Sequence, residues 1–297
     1  MKALLDLLLG ITLFIVLSLV GCGSMPNASE SNTTVIARAD HVFELTCRES
    51  AQFLAVDPAR ARGHVPLGYT VFVSDQDAAD VSRALPDGSA VLIIIYQECS
   101  AASWDGMQLA PLKMVHHWVR LDGPHEILPV PGTSRTVPTY YWYMLDDPTT
   151  STDLRRNLRE AGITSSKIES IELGFDINGV RTGKVIEKNT PGAKDDISYS
   201  FVENNRPSEQ LPVGVNHRLF HETCDDSGRC TLMNALDSGF IIPFGSGSPV
   251  TVTAHPNSSV ARLWGTTTLS GIATQFDHME FRVKISSGNP LPARSNH

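Results

Sequence analysis

The side chains of this sequence best equipped for chemistry are the adjacent pair His116-His117, the aromatic run Tyr140-Tyr141-Trp142-Tyr143, and the cysteines Cys47, Cys99, Cys224 and Cys230. A histidine can move a proton near neutral pH, because its ordinary pKa of about 6.5 lies there. Successive side chains of an extended strand point to opposite faces. His116 and His117 therefore cannot share a ligand, and one of them is expected inside with the other toward solvent. The same alternation puts Tyr140 and Trp142 on one face, and Tyr141 and Tyr143 on the other. If the sheet curls, Tyr140, Trp142 and His116 would line a cavity for a small apolar or amphipathic ligand, since such sites are mostly apolar with a few polar groups. The plainer use of these rings is sheet packing, in which aromatics are ordinary strand residues.

Motifs with defensible mechanics are absent. There is no G-x-S-x-G, no H-E-x-x-H, no Walker loop and no G-x-G-x-x-G opening a helix. No catalytic residue, metal or cofactor is therefore assigned. Gly245-Ser-Gly-Ser-Pro reads as a loop, lacking the lysine of a phosphate-binding loop. The pairs Asp146-Asp147, Asp195-Asp196 and Asp225-Asp226 stand at strand ends, where Asp side chains close turns. A zinc site built from His217, His221, Cys224 and Cys230 is the rival reading of the cysteines. On an extended segment, however, the two histidines stand about 13 Å apart, at about 3.3 Å per residue. Two disulfides are more economical: Cys224 with Cys230 across a turn, and by default Cys47 with Cys99.

The five cysteines divide into those four and Cys22. Cys22 follows one basic residue, Lys2, and an apolar run of 14 residues, Leu7 to Val20. That run is short of the roughly 20 residues needed to span a bilayer, so it reads as a secretion signal. The tetrad Leu19-Val20-Gly21-Cys22 resembles the lipobox of bacterial lipoproteins. The resemblance implies cleavage before Cys22, acylation of its thiol, and residence at the cell membrane or envelope on the extracytoplasmic side, held to the lipid bilayer. Two acyl signals together suffice for stable anchoring. Residues 1–21 are then the signal peptide and 22–35, small and polar, a flexible tether. An even cysteine number in an exported chain fits disulfides. The net charge of −8 over 297 residues leaves no basic footprint for nucleic acid.

The rest reads as one β-rich domain, 36–288, with a disordered tail at 289–297. Strand composition recurs at Val42–Thr46, Tyr69–Ser74, Val91–Tyr96, Met114–Leu121, Thr139–Leu145, Ile168–Phe175, Ile197–Val202, His217–Glu222, Arg229–Met233, Val250–Ala254, Val260–Trp264 and Met279–Ile285. Asn178-Gly179 predicts a hairpin after Ile168–Phe175. Ser151–Ala161 predicts an amphipathic helix that stops at Gly162. Asp57-Pro58 opens a short helical turn, and Asp77–Leu85 is a weaker helix. The fold class is α+β, predominantly antiparallel, with a barrel-like or highly curved sheet and one or two short helices packed on it.

The stretch Phe53-Leu-Ala-Val-Asp57-Pro58-Ala-Arg-Ala-Arg-Gly-His-Val-Pro66-Leu-Gly68-Tyr69 resembles the opening of acetoacetate decarboxylase-like proteins. The order of aromatic strand, helix and Gly162 is similar to that family too. The resemblance implies a β-barrel scaffold and, in true members, a Schiff-base lysine made nucleophilic by a second lysine beside it. No Lys-Lys pair occurs here; Lys113, Lys184 and Lys188 are isolated. No Schiff-base residue carries over, and a reused scaffold with different chemistry is expected. A structural or partner-binding envelope protein is the third reading.

Overall fold

The computed structural model describes residues 40–75, 81–124, 127–129, 136–163, 165–175, 179–187, 196–202, 213–224, 230–241 and 248–290. The leader, Cys22, the tether, most of the predicted tail, Lys188 and the Gly245 loop lie outside them. Fourteen strands follow in chain order: β1 (His41–Val56), β2 (Thr70–Val71), β3 (Ala90–Trp104), β4 (Met107–Leu109), β5 (Leu112–Asp122), β6 (Ile127–Pro129), β7 (Thr136–Asp146), β8 (Ile168–Phe175), β9 (Val180–Glu187), β10 (Ile197–Val202), β11 (Val213–Cys224), β12 (Cys230–Ile241), β13 (Ser248–Ala254) and β14 (Thr268–Pro290). Three short helices interrupt them: α1 (Pro58–His64), α2 (Thr152–Glu160) and α3 (Ser259–Trp264). None of these helices is long and apolar enough to cross a membrane.

Pairing runs β1-β3-β5-β7-β11-β12-β14 and returns to β1, antiparallel throughout except for the parallel pair β7–β11. A limb of β13, β10, β9 and β8 leaves this ring where β14 exchanges one neighbour for another. The sheet as a whole is thus strongly curved but not a closed barrel. The branch depends on the length of β14 and on its close approach to β1 at Gly271. A Cβ there would stand 1.9 Å from the Phe53 carbonyl oxygen, so only glycine fits.

The two faces of the curved sheet carry separate cores. On β3, Val91, Ile93 and Ile95 point into the ring, while Leu92, Ile94 and Tyr96 point outward under the limb. That two-sided burial explains why β3 reads as a continuous apolar run rather than an alternating one. α2 lays Leu154 and Leu158 against the inner core; Ser151 caps it by accepting from the Leu154 N–H at 3.2 Å. Asp57 caps α1 in the same way, accepting from Arg60 N–H at 2.7 Å.

Three expectations are corrected. Val260–Trp264 is helix, not strand: Ser258 caps it at one end and Gly265, in the left-handed conformation at φ 66°, ends it at the other. Cap and stop signals outweigh the apolar content of a six-residue segment. Both His116 and His117 are buried, because the limb covers the outer face that sequence alternation assigned to solvent. The predicted helix near Asp77–Leu85 is, in its described part, a 3₁₀ turn over Val81–Ala84.

Candidate functional site

β5 carries Met114, His116 and Trp118 on its inner face and Val115, His117 and Val119 on its outer face. After β7 the chain recrosses β5, with the Val115 N–H donating to the Pro148 carbonyl at 2.9 Å. That crossing delivers Asp147 to His116. His116 Nδ1 lies 3.0 Å from Asp147 Oδ1, and the Trp118 indole N–H donates to the same oxygen at 2.9 Å. On its other side His116 Nε2 lies 2.9 Å from Gln97 Oε1, and the Gln97 amide donates to Glu49 Oε2 at 2.7 Å. Nδ1 thus stands at ion-pair distance from the Asp147 carboxylate and Nε2 at hydrogen-bond distance from the Gln97 amide oxygen.

Every member of this chain is buried. Burial alone would raise the Asp147 carboxyl, but the His116 ring, the Trp118 N–H and His221 together hold it below its usual range. Asp147 therefore carries a negative charge inside the sheet. Neither Asp closes a local turn through these bonds, contrary to the expectation for the pair: Asp146 reaches across to Ser166, accepting from its N–H at 3.1 Å and from its hydroxyl at 2.6 Å.

Beside His116 is a small void of about 40 Å³, lined by the polar Gln97, His116 and Asp147 and by apolar residues that include Leu158, Ile163 and Phe281. This is room for about one water molecule. Of the expected ligand residues, His116 lines the void. Trp142 lies in the same core, 6.5 Å from the Trp118 ring, and Tyr140 is half-buried against it. His217 joins them, its ring 6.1 Å from both Tyr140 and Trp142. The Trp142 indole N–H is buried without a hydrogen-bond partner among the described residues.

Gln97, Glu49 and Trp118 were not singled out from the sequence, and Asp147 was read only as a turn residue. Their only sequence mark is a polar residue placed among inward-facing apolar ones, as Gln97 is after Ile95. Of the isolated lysines, the two described ones, Lys113 and Lys184, do not line the void. Lys113 Nζ donates to Glu98 Oε1 at 2.9 Å and to the Ile171 carbonyl at 2.6 Å outside the ring, and Lys184 is exposed on β9. Among the described residues that line the void there is no lysine.

Neither ring nitrogen of His117 has a hydrogen-bond partner among the described residues. Burial is the main reason its pKa falls from 6.5 to about 4, the negative Asp147 opposing that and His116 adding to it. Cys47 and Cys99 form a disulfide between β1 and β3. Cys224 and Cys230 occupy facing register positions on β11 and β12. His221 Nδ1 lies 3.0 Å from the Met144 carbonyl oxygen.

No family model matches the chain. No curated protein matches it either. Solved structures do. An acetoacetate decarboxylase from Legionella pneumophila superposes with a TM-score of 0.52 at 11% identity, covering 91% of this chain and 94% of that one. An acetoacetate decarboxylase-like enzyme from Sphingomonas wittichii RW1 gives 0.51 at 9% identity, over 91% and 99% of the two chains. A further acetoacetate decarboxylase gives 0.50 at 9%, over 86% and 91%. At such identities the shared property is the fold.

Proposed function

We propose that this chain is an exported, lipid-anchored protein that uses an acetoacetate decarboxylase-like scaffold on a small carbonyl compound, with His116 in place of Schiff-base chemistry. The observation that carries the reading is the buried His116–Asp147 pair facing an otherwise apolar void inside the curved sheet. A substrate carbonyl oxygen takes the Nε2–H that His116 now gives to Gln97. Asp147 holds the ring through Nδ1, and Gln97 stays tied to Glu49. Loss of CO₂ from a β-keto acid leaves an enolate whose oxygen keeps that hydrogen bond. A donor aimed at developing charge in a dry site is worth about 10²–10³ in rate. The apolar walls desolvate the carboxylate that leaves. Leu158 and Ile163 at the end of α2 must yield to admit anything larger than water. The Cys47–Cys99 disulfide supports the exported address. So does the sequence around Cys22, where a diacylated amino terminus in the intact mass of the mature chain is the expected result.

The test is ketone formation from a panel of small β-keto acids, with borohydride present and absent. Turnover that borohydride leaves intact, that survives Lys113→Gln and that falls about 100-fold or more in His116→Gln is expected. A borohydride adduct on any lysine would overturn the reading. The apolar walls also favour a second reading, binding without conversion; compounds that bind at His116 and are returned unchanged would establish it.

A further inference from the structure

Of the described side chains that line the interior void, all but three stand on strands of the ring; the exceptions are Asp147, Leu158 and Ile163. Ring strands are laced to their neighbours by backbone hydrogen bonds and cannot part without breaking a ladder. Leu158 and Ile163 are held differently. Leu158 is on the inward side of α2, while Asp153, Arg156, Arg159 and Glu160 are exposed on its other side, so one helix thickness separates the void from solvent there. The turn that ends α2 brings Ile163 back beside Leu158. Gly162, in the left-handed conformation at φ 82°, lets the Ile163 N–H donate to the Leu158 carbonyl at 2.8 Å.

On either side of this plug the chain is stapled to itself and to β5. The Thr149 N–H donates to the Ser166 carbonyl at 3.1 Å, and the Ser165 hydroxyl to the Asp147 carbonyl at 2.6 Å. The Thr150 N–H donates to the Lys113 carbonyl at 3.0 Å, and the Lys113 N–H to Thr150 Oγ1 at 3.1 Å. Asp147 therefore belongs to a fixed base. α2 and Ile163 form a compact loop whose ends meet on that base, a geometry in which the loop lifts as a unit while Asp147 stays on His116.

We infer that α2 with Ile163 is the gate of the His116 site, and that Leu158 and Ile163 are its specificity-determining residues, holding the site to the smallest carbonyl compounds. The inference rests on the proposed reading of the interior as a carbonyl site. With about 40 Å³ at hand, a ligand gains its room from the two side chains that no ladder holds, so their bulk sets the length of carbon chain that fits. One methylene in an apolar pocket discriminates by about 10-fold or more. A larger cleft, about 400 Å³, opens on the outer face of β1, β3 and β5 around Arg48, Glu98 and Lys113, and serves as the control for binding elsewhere.

The test uses the full chain, acetone and 2-hexanone as probes, and the imidazole NMR signals of His116. In wild type, acetone should move those signals. In Leu158→Ala and in Ile163→Ala, 2-hexanone should bind about 10-fold or more tighter than in wild type, with acetone little changed. Should the alanine chains fail to fold, Leu158→Val and Ile163→Val give the same direction at a smaller loss of packing. Leu154→Ala is the comparison, because Leu154 is equally buried on α2 but does not line the void. Hydrogen exchange of the native wild-type chain reads the gate itself: amides of α2 and Ile163 should exchange about 10-fold or more faster than those of Val115 and Thr149 in the base. A 2-hexanone affinity unchanged in both alanine chains, or raised equally by Leu154→Ala, would overturn the assignment of Leu158 and Ile163. α2 amides that exchange only together with Val115 and Thr149 would overturn the gate. Either result leaves the carbonyl reading of the interior standing, whereas ketones that move only Lys113 signals at the outer cleft, in every chain, would defeat that reading and the inference with it.

Discussion

His116→Leu is expected to cost about 3–5 kcal/mol of folding stability, far more than the loss of one hydrogen bond. The variant keeps a side chain of similar bulk in the core but strips Asp147 of its closest counter-group while leaving its charge buried. Breaking a buried pair by removing one partner carries that penalty because the other charge stays uncompensated. The Trp118 indole N–H still reaches Asp147 Oδ1, which relieves only part of the cost. A second change separates charge from packing: His116→Leu with Asp147→Asn removes the stranded carboxylate and should regain much of the loss. Urea midpoints at pH 7 measure all three chains. His116→Leu within about 1 kcal/mol of wild type would mean that Asp147 is not charged in the fold, against the direction in which its neighbours hold it.

The second large effect is a loss of stability on mild acidification, driven by His117. The unfolded chain takes up a proton at His117 near pH 6.5, whereas the folded chain does so only near pH 4. Between those values the unfolded state binds more protons, so stability is full above pH 6.5 and drains away as pH falls to 4. The gap is worth roughly 3 kcal/mol. Below pH 4 the loss continues for a different reason: the Asp147 carboxyl, lowered in the fold, gives stability present above its unfolded value of 3.8 and lost as pH falls through its folded one. His117→Phe should therefore flatten the fall between pH 6.5 and 4 and leave the steeper fall below it. Denaturant melts at half-unit pH steps report both limbs, and a His117→Phe curve parallel to wild type from pH 6.5 to 4 would contradict the assignment.

These two histidines show how far local pattern reaches. Their opposite orientation was legible from strand alternation alone. That both are buried was not, because the limb β13-β10-β9-β8 that covers His117 is joined to the ring through β14, more than a hundred residues away in sequence. Elements marked by local chemistry were readable. Ser151 and Gly162 bracket α2, and the strands Ile168–Phe175 and Ile197–Val202 match their predicted bounds. α3 was missed because its signals, Ser258 and Gly265, flank an apolar stretch too short to show helical periodicity. The candidate site was half legible. His116 and Trp142 sit in one core as alternation implied, and Glu49 shares the inward face of Phe43, Leu45, Ala51 and Phe53 along β1, but Asp147 reaches His116 only because the chain recrosses β5 at Pro148. That crossing leaves no motif. The scaffold resemblance rested on Asp57-Pro58 and Pro66-Leu-Gly68, residues that build α1 and the turn after it rather than the interior, and so it foretold the fold without the residues of the site.

The most direct measurement is the position of a bound carbonyl compound. With ¹³C-labelled small β-keto acids or their ketone products at saturating concentration, filtered NOEs should connect the ligand to His116, Leu158 and Ile163, with the His116 signals shifting as it binds. NOEs confined to Lys113 and Arg48 at the outer cleft, with the His116 signals unmoved, would contradict the claim that the interior of the curved sheet is the working site.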